Sequence, residues 1–316
     1  MTQTVNAGID IGYGAVKVVA SERAPFSFPA YTARIEDVQM LPPDMKRRVI
    51  TLDGINYLVG DDARKVRRVT ETYVDSDRIH QNEYRLLGLH ALRMLDAERV
   101  NLTAGLPVRD YTRHREALAE IVRSWNGVYC KVALHKVVPQ PFGTFWDIGL
   151  NLDPVETKQF EHGKVAIIDI GSGTTDLIEV NENQFNPASY TTDPFAVSIA
   201  MKLIRNQIQV KHNAEFDITA IPKIAADGEF MSKGKPLSVA RIVSEAKRHV
   251  VINTLAVAQR LWGSLNTFRY VVVTGGGAQF LREELEQYIP SEQLMIPTDP
   301  EFSNARGFLA ATLKTS

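Results

Sequence analysis

The hexapeptide Ile9-Asp10-Ile11-Gly12-Tyr13-Gly14 has a near copy later in the chain, Ile168-Asp169-Ile170-Gly171-Ser172-Gly173. In both copies an apolar run carries an aspartate near its end, and glycines follow two and four positions after that aspartate. A further apolar run resumes after each copy, at residues 15–20 and 177–180. Apolar runs separated by a glycine turn are typical of two strands joined tightly, so the sequence predicts the same strand–turn–strand unit twice.

Each turn carries groups that suit a polyphosphate. Glycine lets the backbone approach a ligand closely, and consecutive N–H groups in a tight turn form an anion-binding concavity. A neighbouring carboxylate can hold a hydrated Mg²⁺, and Lys17 can reach a phosphate, with a solvated lysine as the alternative. An ordinary hairpin explains either copy alone, because short glycine motifs are weak evidence. The matched pair favours two turns that clamp one polyphosphate.

A third glycine motif, Thr274-Gly275-Gly276-Gly277-Ala278, follows the apolar run 271–273. A backbone without side chains can lie directly against a flat or charged ligand, such as an adenosine or its α-phosphate. The alternative is a flexible loop between a strand and a helix. The motif therefore predicts a nucleotide contact when it is taken together with the two turns.

Gln140 stands between Pro139 and Pro141 at the end of a predicted strand over residues 129–138. A side-chain amide both donates and accepts hydrogen bonds, and positioning the attacking water is the main task in phosphoryl transfer to water. We expect the two prolines to hold Gln140 for that task. A turn residue that faces solvent is the alternative.

The composition of the 316-residue chain is that of a globular protein of about two domains. A net charge of -1 gives no general attraction to nucleic acid or anionic membrane. The single cysteine, Cys130, excludes an internal disulfide and a cysteine-built metal site. A reducing cytoplasm is the expected setting, since the first residues do not have the pattern of a signal peptide and no segment has the length of a membrane span.

Hydrophobic periodicity and the positions of turn residues predict further helices and strands along the chain. Asp53-Gly54 predicts a hairpin between residues 49–52 and 56–59. Helical patterns begin near residue 60 and cover 83–99, 111–125, 196–209, 239–263 and 303–313. Further strands are predicted at 100–104, 164–170 and 270–273, and the polar stretch 151–163 is the candidate crossover between domains.

In this order along the chain, the first turn, Gln140, the second turn and residues 274–278 resemble the phosphate-1, connect-1, phosphate-2 and adenosine motifs of the actin, heat-shock-chaperone and sugar-kinase superfamily. Asn304-Ala305-Arg306-Gly307-Phe308 resembles its connect-2 segment. Within that superfamily the chain is similar to the ParM/StbA plasmid-segregation actins. The segments that carry this closer similarity are residues 52–60, 105–111 and 304–308.

The resemblance implies an α/β fold of two similar actin-like (ribonuclease H-like) domains. Each would be a mixed sheet flanked by helices, with a nucleotide cleft between the domains. Domain I would comprise residues 1–158 and 303–316, with a small subdomain inserted at 24–80. Domain II would comprise residues 159–302, with a small subdomain inserted at 196–250.

The resemblance also implies the cofactors, ATP (with GTP as the alternative) and Mg²⁺, and their ligands. Asp10 would hold the metal through water, Gln140 would position the attacking water, and Asp169 would help polarise that water and contribute to the metal site. The other implied nucleotide ligands are Gly12, Tyr13, Gly14 and Lys17 at the β- and γ-phosphates; Gly171, Ser172, Gly173, Thr174 and Thr175 in the second phosphate loop, with Asp176 just beyond; Gly275, Gly276, Gly277 and Ala278 at the adenosine; and Glu245 and Arg248 at the ribose or base.

The function implied is that of a cytoplasmic, ATP-hydrolysing filament that segregates plasmid DNA. Its partners would be further copies of the chain, stacked head to tail, and a small DNA-binding adaptor of the ParR type on a centromere-like DNA site. A non-polymerising ATPase that serves as an assembly scaffold and a small-molecule kinase stay open as alternatives.

The basic clusters 46–48 and 64–68 are expected to be solvated, with a filament or partner contact as the alternative. No DNA-reading motif accompanies them, which argues against direct DNA binding. The absence of a basic amphipathic helix at either terminus argues against direct membrane attachment.

Overall fold

The computed structural model describes residues 4–66, 77–151, 160, 162–216 and 218–314. These residues form two compact units. The first contains the described residues up to 151 together with 301–314, and the second contains those from 160 to 300. The chain therefore returns to its first unit at its end. The crossover predicted over 151–163 lies mostly outside the described residues.

The first unit is built on a mixed five-stranded sheet. Its strands, with those of a smaller sheet, are β1 (Thr4–Ile11), β2 (Ala15–Ala20), β3 (Phe26–Pro29), β4 (Thr32–Ile35), β5 (Ile50–Leu52), β6 (Ile55–Val59), β7 (Arg99–Leu106) and β8 (Lys131–Pro139). The large sheet has the order β3-β2-β1-β7-β8, in which β1 and β2 are antiparallel while β7 runs parallel to β1 and β8. The small antiparallel sheet has the order β4-β6-β5 and turns at Asp53 and Gly54, both with positive φ.

The second unit repeats the topology of the first. Its strands are β9 (Lys164–Ile170), β10 (Thr175–Asn181), β11 (Gln184–Asp193), β12 (Glu229–Ser232), β13 (Lys235–Ser238), β14 (Tyr270–Thr274) and β15 (Leu294–Met295). The order β11-β10-β9-β14-β15 has two antiparallel pairs followed by two parallel pairs, as in the first sheet. The predicted α/β fold with two similar mixed sheets is confirmed.

Helices flank both sheets. In chain order they are α1 (Pro43–Lys46), α2 (Asp61–Val66), α3 (Asn82–Leu95), α4 (Val108–Ser124), α5 (Gln140–Asn151), α6 (Val197–His212), α7 (Ile221–Asp227), α8 (Ala240–Trp262), α9 (Gly276–Leu285) and α10 (Ser303–Leu313). Short 3-10 turns lie at Val38–Met40, Arg78–His80, Ile218–Ala220, Leu265–Thr267 and Pro300–Phe302. Each unit has its own apolar core between its large sheet and its long helices.

Two predicted elements differ from the structure. The helix predicted over 83–99 ends at Leu95, because Asp96 takes a left-handed conformation with φ 46° and its N–H caps the carbonyl of Arg93. Gln140 follows a strand as predicted, but the alternative of a turn residue facing solvent is wrong, because Gln140 is buried and begins a helix that the sequence did not predict. Pro139 ends β8, and Gln140 is the first residue of α5. Pro141 is tolerated there because the first turn of a helix does not need its N–H groups.

The closing helix α10 touches β1 and α5 through glycines. A Cβ atom at Gly8 of β1 would overlap with the carbonyl oxygen of Ala305. A Cβ at Gly143 of α5 would overlap with the carbonyl oxygen of Asn304, and one at Gly307 would overlap with that of Gly143. Backbone therefore packs directly on backbone at two places along α10, and no side chain fits between them.

Polar pairs fix α5 against α10 beside these contacts. Arg306 donates to both carboxylate oxygens of buried Asp147, with Nε–Oδ1 2.8 Å and Nη2–Oδ2 2.7 Å. Thr144 Oγ1 donates to Asn304 Oδ1 at 2.8 Å. Bidentate arginine–carboxylate pairs add geometric specificity as well as energy, so these contacts set how α10 lies on α5.

Across the part of the chain that the structure describes, every helix is too short or too polar to cross a bilayer.

We expect Gly143→Ala to destabilise the first unit by roughly 2 kcal/mol, since the added methyl group forces α5 and α10 apart. Gly149→Ala in the same helix is the matched control. A Cβ at Gly149 meets no atom within 4 Å, and alanine is favoured over glycine in a helix by about 1 kcal/mol. Thermal unfolding followed by circular dichroism measures both. A lower Tm for Gly143→Ala with an equal or higher Tm for Gly149→Ala supports the contact, and equal effects would contradict it.

Candidate functional site

The first half-site is the turn between β1 and β2, residues 12–14. The Gly12 N–H donates to the carbonyl of Ala15 at 3.1 Å, which closes the turn. The neighbouring strand supports it, because the Ala30 N–H donates to the carbonyl of Gly14 at 3.0 Å. Tyr13 lies between the two glycines and is half-buried. The backbone of the turn is thus fixed at both ends.

Asp10 lies at the base of this turn and is 4% exposed. Its Oδ1 accepts a hydrogen bond from Gln140 Nε2 at 2.6 Å, and its Oδ2 lies 3.8 Å from Lys17 Nζ. Lys17 stands opposite Asp10 on β2. The structure therefore brings together three residues that the sequence singled out. A carboxylate has about four lone-pair positions, so Asp10 can still accept a hydrogen bond from metal-bound water.

Arg78 belongs to this half-site, and sequence reasoning missed it. The side chain is buried, and its guanidinium carbon lies 4.7 Å from the ring centroid of Tyr13 and 5.8 Å from that of Tyr84. Burial lowers the pKa of Arg78, while the charges of Tyr84, Tyr13 and Asp10 oppose that shift. Burial of a lone arginine is a tertiary property, and no local pattern around residue 78 indicates it.

The second half-site is the turn between β9 and β10, residues 171–174. The Gly171 N–H donates to the carbonyl of Thr174 at 2.9 Å. This is the counterpart of the bond from Gly12 to Ala15 in the first turn. The two turns therefore share one backbone hydrogen-bonding pattern as well as one sequence pattern.

Helix α6 begins against the second turn. The Val197 N–H donates to the carbonyl of Gly171 at 3.2 Å, and the Ser198 N–H donates to that of Ser172 at 2.9 Å. The first N–H groups of a helix have no partner within the helix. Here these two donors hold the carbonyl groups of the turn and so fix its orientation.

The two turns differ in charge at one matched position. Asp169 stands opposite Asp176 on β10, as Asp10 stands opposite Lys17 on β2. The first turn thus pairs a carboxylate with a cation, while the second places two buried carboxylates at the same positions. A cation between a nucleotide and the second turn would offset that negative charge, which suits a metal ion.

Thr175 is the first residue of β10, directly after the second turn, and Asp176 follows it in the strand. The contact of Thr175 with a phosphate stays a prediction. Thr175 Oγ1 donates to the carbonyl of Phe195, and Thr192 Oγ1 donates to Asp176 Oδ1. Both side chains are buried. Their described hydrogen bonds thus join β10 to the chain that enters α6.

The third glycine motif packs on the second turn. Gly275 has φ +79°, and a Cβ there would overlap with Asp169 Oδ1. A Cβ at Gly277 would overlap with Ile170. The Gly275 N–H donates to the carbonyl of Pro300 at 3.2 Å. Both glycines are therefore required for the backbone to lie against the strand that carries Asp169.

The same motif begins α9 with an uncapped end that can receive a ligand. Gly275 is the N-cap and provides no side-chain hydrogen bond. A Cβ at Gly276 would meet nothing within 4 Å, whereas Ala278 is fully buried. Helix N-termini attract phosphate groups through their N–H groups and dipole. Gly276 is thus the residue of this motif with space beside it.

Glu245 and Arg248 lie on an exposed part of α8. Glu245 accepts a hydrogen bond from Arg241 at 2.8 Å, and that bond holds the pKa of the Glu245 carboxyl below its usual value. Neither residue has a described contact with the second turn. Their role at the ribose or base stays a prediction.

The described residues fit a magnesium ion that arrives with a nucleotide. Among them, no three His, Cys, Asp or Glu side chains form a group that could hold a metal. Mg²⁺ usually keeps several waters and is bound by one or two carboxylates together with substrate phosphates. Asp10 and Asp169 are each a buried carboxylate that could hold metal-bound water.

Comparison with known proteins identifies both halves of the chain. A family described as the N-terminal domain of actin-like proteins matches residues 8–143. A family described as the C-terminal part of the archaeal actin homologue, MreB-like, matches residues 167–287. The first match covers the first turn and Gln140, and the second covers the second turn and Gly275–Gly277.

Whole-chain relatives are distant and cover almost the full length. An archaeal actin homologue of Thermoplasma volcanium is 21% identical, over 95% of this chain and 96% of its own. The structure of a 15-stranded ParM filament from Clostridium botulinum has a TM-score of 0.76 at 19% identity, covering 99% of this chain and 100% of that one. ParM of Bacillus thuringiensis with ATP has a TM-score of 0.68 at 17% identity, covering 99% of each chain. At these identities the structural likeness shows the fold.

Proposed function

Because the chain is an actin-like protein, we propose that it binds ATP with Mg²⁺, hydrolyses it, and assembles into filaments. The observation that carries the proposal is the matched pair of turns. Each has a buried aspartate at its base and a bond from its first glycine to the residue three positions later. Two such turns offer two sets of backbone N–H groups to one polyphosphate.

We propose that a single triphosphate contacts both turns. The first would bind the β- and γ-phosphates through the backbone of residues 12–14 and through Lys17. The second would bind them through residues 171–174, and the space beside Gly276 would receive the adenosine or its α-phosphate. The ParM of Bacillus thuringiensis, which has the same fold, was solved with ATP.

Hydrolysis would depend on Gln140 and Asp169. Gln140 donates through Nε2 to Asp10, and its Oε1 has no partner among the described residues, so it can accept a hydrogen bond from the attacking water. Asp169 would accept the second hydrogen of that water. The metal ion, when bound, neutralises charge on the phosphate oxygens, and Asp10 and Asp169 would hold its waters.

We propose that the chain assembles head to tail and that the bound nucleotide controls this assembly. A head-to-tail contact that does not close generates an open filament, and loss of the γ-phosphate can release a switch that this phosphate had held. The similar ParM of Clostridium botulinum was solved as a filament. The finer proposal is that this chain moves plasmid DNA through a small DNA-binding adaptor of the ParR type. A net charge of -1 supports an adaptor rather than direct DNA contact.

We expect Gln140→Ala and Asp169→Ala to lower the rate of ATP hydrolysis by about 100-fold, because positioning and proton-accepting groups contribute about that much. The dissociation constant for ATP should change by less than about fivefold, since neither side chain provides a main phosphate contact. Phosphate release and equilibrium binding measure the two quantities. Gln287→Ala, at an exposed glutamine of the second unit, is the control and should behave as wild type. If binding and turnover fell together, the assigned roles would be wrong.

Light scattering after addition of ATP and Mg²⁺ tests assembly. We expect a rise that requires a critical protein concentration and reverses as ATP is consumed, because monomers in an open filament add and leave at its ends. Phosphate should be released without any added acceptor, which separates this function from a small-molecule kinase. An ATPase that gives no scattering and no sedimentable polymer over a range of salt and nucleotide would instead be the non-polymerising scaffold.

A further inference from the structure

The guanidinium of Arg78 is a buried cation without a carboxylate partner among the described residues. The residue is 8% exposed, and no Asp or Glu of 4–66 or 77–151 forms an ion pair with it. Charged side chains this deeply buried are almost always paired. Arginine stays protonated at neutral pH, so the positive charge of Arg78 has no direct ion pair with any residue that the structure describes.

Two aromatic rings offset part of the free-energy cost of burying the Arg78 guanidinium. The guanidinium lies over Tyr13 at 4.7 Å and near Tyr84 at 5.8 Å, and cation–π contacts of this kind are strongest where water is excluded. Two carboxylates oppose the effect of burial on the pKa of Arg78 through their charges: buried Asp10 and exposed Glu83. Asp10 already has Lys17 Nζ at 3.8 Å and the Gln140 amide at 2.6 Å. Asp10 is thus already in contact with Lys17 and Gln140, and it acts on Arg78 only through its charge.

The position of the Arg78 guanidinium indicates which kind of ligand it could bind. Tyr13 is the central residue of the first turn, and the guanidinium lies over its ring, 4.7 Å from the ring centroid. Guanidinium groups have a planar fork of donors that matches two oxygens of a phosphate. An anion with several oxygens at the end of the first turn would satisfy Arg78, Lys17 and the turn together.

We propose that Arg78 is a nucleotide-binding residue that contacts the terminal phosphate of the bound triphosphate, so that the first unit distinguishes ATP from ADP. This inference rests on the proposed nucleotide site and adds to it a residue outside the glycine motifs. The competing explanation is that Arg78 only neutralises Asp10 and supports the turn. The two explanations differ in what removal of the cation does to the protein without nucleotide.

The experiment compares Arg78→Met and Arg78→Lys with wild type by equilibrium binding of ADP and of a non-hydrolysable ATP analogue, each with Mg²⁺. We expect Arg78→Met to weaken binding of the analogue by about 10- to 100-fold, the usual effect of losing a charge-assisted hydrogen bond. Binding of ADP should weaken by less than about threefold. Arg78→Lys should weaken the analogue less, since it keeps the charge but loses the bidentate fork. Arg115→Gln, at an exposed arginine of α4, is the matched control and should change neither.

Thermal unfolding without nucleotide provides the second readout. Because a buried, unpaired cation is costly, Arg78→Met should keep or raise the Tm of the free protein while reducing its stabilisation by the ATP analogue. A lower Tm of the free protein with equal weakening of both nucleotides would establish the supporting role and overturn the proposal. If wild type bound no nucleotide, the proposed function would fail as well. If wild type bound ATP and the variants kept its discrimination against ADP, only the role of Arg78 would fall.

Discussion

The direct backbone contact of α10 with β1 and α5 is the constraint on which the first half-site depends. Asp10 follows the β1 contact at Gly8 by two residues, and Gln140 precedes the α5 contact at Gly143 by three. With no Cβ at these points, the strand and both helices approach more closely than other residues allow. The salt bridge between half-buried Arg306 and buried Asp147 then fixes the orientation of α10 on α5. As a result, the Gln140 amide meets the Asp10 carboxylate at 2.6 Å.

The two turns share one backbone hydrogen-bonding pattern but differ in the charges beside it. They would therefore bind different parts of a nucleotide complex. In the proposed site, Lys17 opposite Asp10 and Arg78 over the Tyr13 ring would favour anionic oxygens at the first turn. Asp176 opposite Asp169 gives the second turn two carboxylates, which would require a cation between them and a phosphate. The proposed complex of Mg²⁺ with a triphosphate would meet both requirements. An internal repeat of the fold thus gives complementary rather than equivalent half-sites.

The sequence predicted the repeat, the mixed sheets and the actin-like family, because each depends on local patterns of glycine, apolar runs and their order. The hairpin between β5 and β6 was predicted from Asp53-Gly54 because that turn signal is also local. The start of α5 at Gln140 was missed, since flanking prolines are typical of turns as well as helix starts. Arg78 could not be found, because its burial depends on Tyr13 and Tyr84, which are distant from each other in sequence. The roles of Glu245 and Arg248 remain predictions for a similar reason: helical periodicity places them on a surface but does not say what binds there.

The central claim is that one nucleotide is bound by both turns, and calorimetric titration with a non-hydrolysable ATP analogue tests it most directly. Gly12 and Gly171 are matched positions, since a Cβ at either would lie 3.0 Å from the carbonyl oxygen that closes its turn. The account predicts that one analogue molecule binds per chain. It also predicts that Gly12→Val and Gly171→Val each weaken the binding of the analogue strongly. Two analogues per chain, or full affinity in either folded variant, would contradict it.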